Sequence, residues 1–323
     1  MEKIAVTAAD EVKITVTMDN FYDGLLMPEA NVQRYRFVGA GSGGVAELPA
    51  HLSAEHGFAC FIEVAAAGQK NSLLMDFGVS GEGTARNMEA MGIDLSGVRA
   101  AVLSHGHFDH YGGLQRVISG LVPREKLPLP LYVGKEAFLR RYICPPGMKL
   151  DLGRLEPAGV EAAGCRIREI DRPEEILPGV LVIGPVPRVT EFEQGSPLLM
   201  VERDGRLEQD DFVGELSLAF NVAGKGLVIL TACAHGGIVN IVRRAVELTG
   251  VEKIHAILGG FHLSGAPAEK IEKTVAGLAG VAPGQIVPMH CSGFQALKMI
   301  SEKMAVAFVL YSAGSQYVYS RAG

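Results

Sequence analysis

Tryptophan is absent from this chain of 323 residues, and aromatic residues make up only 7% of it. Such a composition offers no platform on which successive nucleobases could stack. An excess of positive charge is missing too: 30 Lys and Arg stand against 36 Asp and Glu, for a formal net charge of −6. That balance argues against a nucleic-acid partner held by overall charge. Long apolar runs are lacking. The stretch 227–234 (LVILTACA) falls well short of the ~20 residues a membrane-spanning helix needs. The N-terminal MEKIAVTAADEVKITV has charges interrupting any core of signal-peptide length. No membrane partner is therefore expected. Cysteine is scarce and odd in number, five in all, with no CxxC spacing. A cytoplasmic location follows as the simplest expectation, since a chain this long needs no disulfide staples. Hydrophobic residues at 48% exclude an intrinsically disordered chain.

Glycine is abundant, with 40 copies, and falls between short β-rich runs. Strands are predicted at 13–19, 59–65, 72–76, 98–104, 131–133, 181–183, 198–202, 216–222, 227–231, 254–258, 286–288 and 306–311. Several are continuously apolar, as strands covered on both faces must be. Helical spacing is predicted at 83–91, 237–249, 266–278 and 293–304, the first two stopped by Gly92 and Gly250. The pattern predicts an α/β fold, mixed sheets packed inside outer helices. A single domain over 1–323 is expected. Residues 120–190, with Pro123, Pro128, Pro130, Pro145, Pro146 and Pro157, are read as an insertion or lid. The stretch 39–44 (GAGSGG) fits GxGxxG, but Pro49 follows and no long helix is announced, so a mobile loop near the functional site is the expectation. No phosphate-loop motif and no GxSxG nucleophile elbow is present. Arg140, Arg141 and Arg188 are read as solvated charge, and Cys60, Cys144, Cys165 and Cys291 as small hydrophobes.

The chemistry concentrates in Ser104-His105-Gly106-His107-Phe108-Asp109-His110-Tyr111. Three of the nine histidines in the chain fall here within six positions. On an extended strand end, His105 and His107 face the same side, and a following turn brings Asp109 and His110 alongside. Neutral imidazole and carboxylate suit Zn²⁺ and similar ions. One ion can take His105 and His107, and a second Asp109 and His110. Two ions ~3.5–4 Å apart can share a hydroxide with a pKa near 7. Four ligands do not complete two ions. Three further histidines follow apolar strands: His235 after 227–231, with Cys233 beside it, His262 after 254–258 and His290 after 286–288. Strand carboxyl ends are where open α/β sheets gather ligands.

The HxHxDH element, the earlier Leu73-Leu74-Met75-Asp76-Phe77-Gly78 and the order of the later histidines resemble the metallo-β-lactamase superfamily. The resemblance covers most of the chain. It implies a four-layer αβ/βα sandwich with metals at one edge of the two sheets, and one or two divalent ions, zinc foremost, with manganese or iron as alternatives. It also implies that His105, His107, Asp109, His110 and His290 are metal ligands and that Asp76 orients them. Where the superfamily usually carries a bridging Asp, this chain reads Thr231-Ala232-Cys233. Either Cys233 supplies a thiolate, or His235 takes over, or the bridge is missing. His235 is taken as the third histidine of the first site. His107 argues against the diiron, oxygen-reducing branch, which carries Glu there.

Asp19-Asn20, Glu55-His56-Gly57, Ala232-Cys233-Ala234-His235-Gly236-Gly237, Gly259-Gly260-Phe261-His262 and Met289-His290-Cys291 resemble one subgroup more narrowly, the pterin-linked synthases of the methanopterin pathway. That resemblance implies Glu55, His56 and His262 near the substrate. The expected activity is a metallo-hydrolase whose hydroxide attacks an ester, lactone or phosphoester, with Asp109 as ligand and orienter and His262 as proton donor. A synthase reaction displacing diphosphate is the variant that the subgroup implies. The alternative of a different class is an iron-containing redox or sensing protein, motivated by Cys233. A small-molecule substrate, phosphorylated in the synthase case, is the expected partner, and a homo-oligomer is left open.

Overall fold

The computed structural model describes residues 3–36 and 50–321. The glycine-rich stretch 39–44 lies outside the described residues. Ten strands follow one another across the main sheet. Their order is Gln285–Met289, Ile254–Gly260, Gly226–Thr231, Ser217–Val222, Ala9–Met18, Ala59–Ala66, Gln69–Met75, Val98–Leu103, Leu129–Gly134 and Cys165–Ile170. Ser217–Val222 meets Ala9–Met18 through a single register pair, Ala9 with Val222. That narrow seam divides the sheet into two halves.

Period-two alternation explains why the apolar strands need cover on both sides. Leu73, Met75, Ala100 and Val102 from one half share a core with Leu218, Phe220, Val228 and Leu258 from the other. Their sequence neighbours Leu74, Ala101 and Leu103 pack outward with Met88, Val117 and Ile118 of helices Gly81–Ala90 and Leu114–Leu121. On the second half Leu227, Ile229 and Ile257 pack with helices Ile238–Thr249, Ala268–Val281 and Phe294–Lys303. Three apolar cores thus separate four layers: helices, sheet, sheet, helices. Gly250, at φ 71°, ends Ile238–Thr249 in the left-handed conformation that glycine tolerates.

Two expectations are corrected. Residues 306–311 form no strand beyond an isolated bridge between Phe308 and Ile286. Ala307 and Phe308 instead donate to the Met304 carbonyl in the turn that closes the last helix, and Val306 points into solvent. The last strand is Ser315–Ser320, antiparallel to Ala9–Met18, with Tyr317 and Tyr319 alternating into the core. The proline-rich span 120–190 is not set apart as a whole: Leu129–Gly134 and Cys165–Ile170 extend the main sheet and Val180–Ile183 pairs with Ser217–Val222. Only Arg141–Ile143 and Leu150–Gly153 leave it, joining Leu199–Arg203 and Arg206–Gln209 in a separate four-stranded sheet. Among the described residues no helix is long and apolar enough to cross a membrane.

Pairing direction positions the site. Gln69–Met75, Val98–Leu103, Leu129–Gly134 and Cys165–Ile170 run parallel, as do Gly226–Thr231, Ile254–Gly260 and Gln285–Met289. Within each set the carboxyl ends therefore share one edge. The residues just beyond those ends are Asp76, Ser104-His105, Cys233-Ala234-His235, Phe261-His262 and His290-Cys291.

Candidate metal centre

Histidines 105, 107 and 235 converge from two strand ends. His105 Nε2 lies 3.0 Å from His107 Nδ1 and 3.2 Å from His235 Nε2. Gly106 separates the first two because nothing larger fits: a Cβ there would run into the Ala137 carbonyl and the Arg141 guanidinium. Burial pushes all three imidazoles well below their ordinary pKa, with the neighbouring histidines adding to the effect at His105 and His235. Neutral rings are the form that ligates a cation.

Asp76 governs which ring nitrogen is free. Its carboxylate accepts the Ser104 backbone N–H at 2.7 Å, the Ser104 hydroxyl at 2.6 Å and His110 Nδ1 at 2.7 Å. A carboxylate accepts only, so His110 carries its proton on Nδ1 and Nε2 bears the lone pair. Ser104, having given its hydroxyl proton to Asp76, accepts from His105 Nδ1 at 2.9 Å. His105 Nε2 is thereby left unprotonated toward His107 and His235. That nitrogen is a free acceptor flanked by two more imidazole nitrogens at 3.0 and 3.2 Å, and three neutral imidazoles converging in this way are a donor set that fits the metal the sequence implies. Orientation of ligating histidines by a carboxylate is a recurrent feature of metal sites.

A second group sits beside the first. His290 Nε2 is 3.3 Å, His56 Nε2 3.5 Å and His110 Nε2 3.6 Å from Asp109 Oδ2. His290 Nε2 is buried without a hydrogen-bond partner, while Asn20 Oδ1 holds its Nδ1 at 3.1 Å. Burial works against charge on both Asp109 and His290. Their mutual attraction overrides it, holding Asp109 low with help from His110, and raising His290 to about 9. His110 is raised likewise, against burial, by Asp109 and Asp76. Together His105, His107 and His235 can hold one ion, and His56, Asp109 and His290 can hold another.

Sulfur lies between these groups. Cys233 Sγ is 3.3 Å from His110 Nε2 and 3.3 Å from Cys291 Sγ. Cys233, His262 and Cys291 form a further set whose ligand atoms lie within 4.8 Å of one another. Cys291 was expected to be an inert hydrophobe; its position corrects that reading. His235 and Cys233 do not compete for one place: the first joins the three-histidine group, the second faces His110. His262 packs its ring 4.2 Å from that of His235, and its Nδ1 is buried without a partner.

Backbone strain gathers here as well. Asp76, Phe212, Ala234, His262 and His290 adopt positive φ, between 46° and 60°, a region that costs energy for residues with a Cβ and clusters at functional sites. Phe212 lies flat on the His235 ring, 3.7 Å between centroids and 4° between planes.

Other expected residues fall elsewhere. Glu55 accepts from Ser80 Oγ at 2.8 Å beside the start of helix Gly81–Ala90 and belongs to none of the ligand groups among the described residues. Arg141 is buried and paired with Asp210 at 2.7 Å, and Arg188 donates to the carbonyls of His235, Glu193 and Asp211. Neither is the solvated charge the sequence suggested. Sequence reasoning named Asp19 in the resemblance without giving it a role, and missed Glu215. Asp19 Oδ1 accepts from the His290 backbone N–H at 3.1 Å, and Glu215 accepts from the backbone N–H of His235 and Gly236 at 2.7 Å each. Burial raises both carboxyls to about 7. The sequence reading places Asp19 inside a strand at 13–19; the strand ends at Met18, which puts Asp19 just past its end, as the histidines are past theirs.

A sequence model described as the metallo-beta-lactamase superfamily matches residues 57–128. The 7,8-dihydropterin-6-methyl-4-(beta-D-ribofuranosyl)-aminobenzene-5'-phosphate synthase of Methanocaldococcus jannaschii is 30% identical over 265 residues, covering 80% of this chain and 88% of its own length. An uncharacterized protein of the same organism is 30% identical over 249 residues, covering 77% and 88%. Among solved structures, Tm1679, a metal-dependent hydrolase of the beta-lactamase superfamily, aligns with 96% of this chain and 99% of its own, at a TM-score of 0.74 and 25% identity.

Proposed function

Because the chain belongs to the metallo-beta-lactamase superfamily, we propose that it is a single-domain, metal-dependent enzyme acting on a small molecule at an ester, lactone or phosphoester centre. In a synthase variant, toward which the pterin-linked name of its relative points, an aromatic carbon or amine of a second substrate forms the new bond as the bond to a diphosphate leaving group breaks. The observation that carries the reading is the convergence of His105, His107, Asp109, His110, His235 and His290 from separate strand ends.

His105, His107 and His235 hold one divalent ion. Asp109, His110 and His290 hold a second, with His56 at its exposed side and Cys233 at the junction. Bound ions, zinc foremost and manganese or iron as alternatives, would supply Lewis-acid polarisation and a water acidic enough to react near neutral pH. Asp109, kept ionised, accepts a proton bond from the incoming nucleophile and fixes its direction. Asp76 and Ser104 keep His110 and His105 in the ligating tautomer. His262, beside His235 with its buried Nδ1 unpartnered, gives a proton to the leaving oxygen. The sulfur pair Cys233 and Cys291 favours a second reading, an iron-containing redox or sensing site without hydrolysis, since thiolates suit softer and redox-active ions.

Elemental analysis of the purified protein, coupled to turnover of phosphodiester, lactone and pterin diphosphate substrates, separates the two. Zinc or manganese with turnover supports the enzyme. Iron with redox-active spectra and no turnover would overturn it.

A further inference from the structure

The three histidines of the first group come from opposite halves of the main sheet. His105 and His107 follow Val98–Leu103, and His235 follows Gly226–Thr231. Those two strands do not pair with one another, so no ladder fixes the distance between their ends. Residues 210–216 cross that gap. On one side the Leu216 N–H donates to the Ser104 carbonyl at 2.8 Å, next to His105. Asp210 Oδ2 accepts from Arg141 Nε at 2.7 Å, the same guanidinium that packs against Gly106. Gly214 runs hard against the end of Leu129–Gly134: a Cβ on it would strike the Lys135 backbone. On the other side Glu215 accepts from the N–H groups of His235 and Gly236. Arg188 joins the Asp211 carbonyl, at 3.0 Å, to the His235 carbonyl, at 2.7 Å. The segment is thus anchored to both halves at main-chain atoms beside the ligands.

Phe212 stands near its middle and is buried. Asp210 Oδ1 accepts its N–H at 2.8 Å, and its carbonyl accepts the Glu215 N–H at 3.0 Å. This tight turn sets it at φ 51°, a strained conformation that persists only where the surroundings over-determine it. Its ring lies parallel to His235, and stands nearly perpendicular to His105 and His107, at 5.8 and 5.3 Å between centroids. All three separations are those of aromatic contact, so one side chain packs on every imidazole of the group.

We propose that residues 210–216 form a strap that assembles the three-histidine group before any ion arrives, with Phe212 the positioning residue for His235. A ring already fixed gives up little rotamer freedom when it ligates, so an ion meets a preformed set. The use made of that set rests on the metal-dependent reading; the strap's hold on the rings does not.

The test follows the histidine-ring signals of the full chain by NMR, first metal-free and then along a zinc titration buffered by a chelator. A ring stacked flat on Phe212 is shielded by it, so Phe212→Ala moves the metal-free His235 ring protons downfield. In the same variant zinc binding at His105, His107 and His235 weakens roughly tenfold, the value of about one lost aromatic pair. Binding followed at His110 and His290 is unchanged. Phe212→Tyr, which restores the flat face, restores both readouts. Should Phe212→Ala lose its fold by circular dichroism, Phe212→Leu, which fills the space without a flat ring, carries the same two measurements. His235 signals that stay in place in the metal-free variant overturn the proposal. So does unchanged zinc affinity at the three rings, or an equal loss at both groups, which would mark general loosening. A wild-type protein whose three rings ignore zinc contradicts the metal-dependent reading alone, and the metal-free comparison then still decides the strap.

Discussion

Asp76→Asn is the most informative single substitution. Three buried donors converge on this carboxylate, each within 2.7 Å: the Ser104 N–H, the Ser104 hydroxyl and His110 Nδ1. Asparagine keeps the shape but offers one oxygen in place of two, and turns an NH2 group toward a donor. At least one donor loses its partner, at a cost of about 1–3 kcal/mol. The effect on metal is separable from that cost. Without a pure acceptor, neither His110 nor, through Ser104, His105 is held with Nε2 free. Loss of such an orienting partner weakens metal binding about 10–100-fold. Urea unfolding of the metal-free variant measures the first quantity, and competition for zinc against a chelator measures the second. Asp76 also helps to raise His110, so the His110 pKa falls in the variant, a shift that NMR reads directly. A variant destabilised as stated but with unaltered zinc affinity would refute the reasoning, because Asp76 would then serve folding alone.

Three further outcomes are expected. His107→Ala loses at least one ion per chain and its activity without unfolding, checked by elemental analysis and circular dichroism. Cys233→Ser weakens metal or changes its identity, read from competition between zinc, manganese and iron; an unchanged ratio would remove the thiolate from the ligand set. In the metal-free protein His290 is raised from 6.5 to about 9 by Asp109, Cys291 and Asp19 against burial. It binds its proton more tightly folded than unfolded. Its contribution to stability is thus full below about 6.5 and is lost as pH rises through about 9. His290→Gln flattens that slope in urea midpoints measured against pH, and zinc uptake at neutral pH releases protons, measurable with an indicator dye.

Most of the architecture was legible because apolar strings such as LVILT and AILGG can only be strands covered twice, and their alternation partitions three cores. The C-terminal strand was missed because its apolar part is only Tyr317-Val318-Tyr319, flanked by Ser315, Gln316 and Ser320, while the longer apolar run 306–311 begins in the turn that closes the last helix. The convergence of His105, His107, His110, His235 and His290 was legible from their place after strands. What spacing does not encode is lateral packing: which sulfur meets which, that Cys291 sits against Cys233, or that Phe212 lies on His235. Arg141 and Arg188 looked solvated because their partners are a carboxylate distant in sequence and main-chain carbonyls. His56 came into reach of Asp109 and His290 only through folding, in a group that could hold an ion.

Diffraction from zinc-loaded crystals, recorded on either side of the zinc absorption edge, tests the central claim most directly. The account predicts an anomalous peak at ligand distance, about 2.0–2.1 Å, from imidazole nitrogens of His105, His107 and His235 together. A fully loaded protein with no peak among those three rings would contradict it.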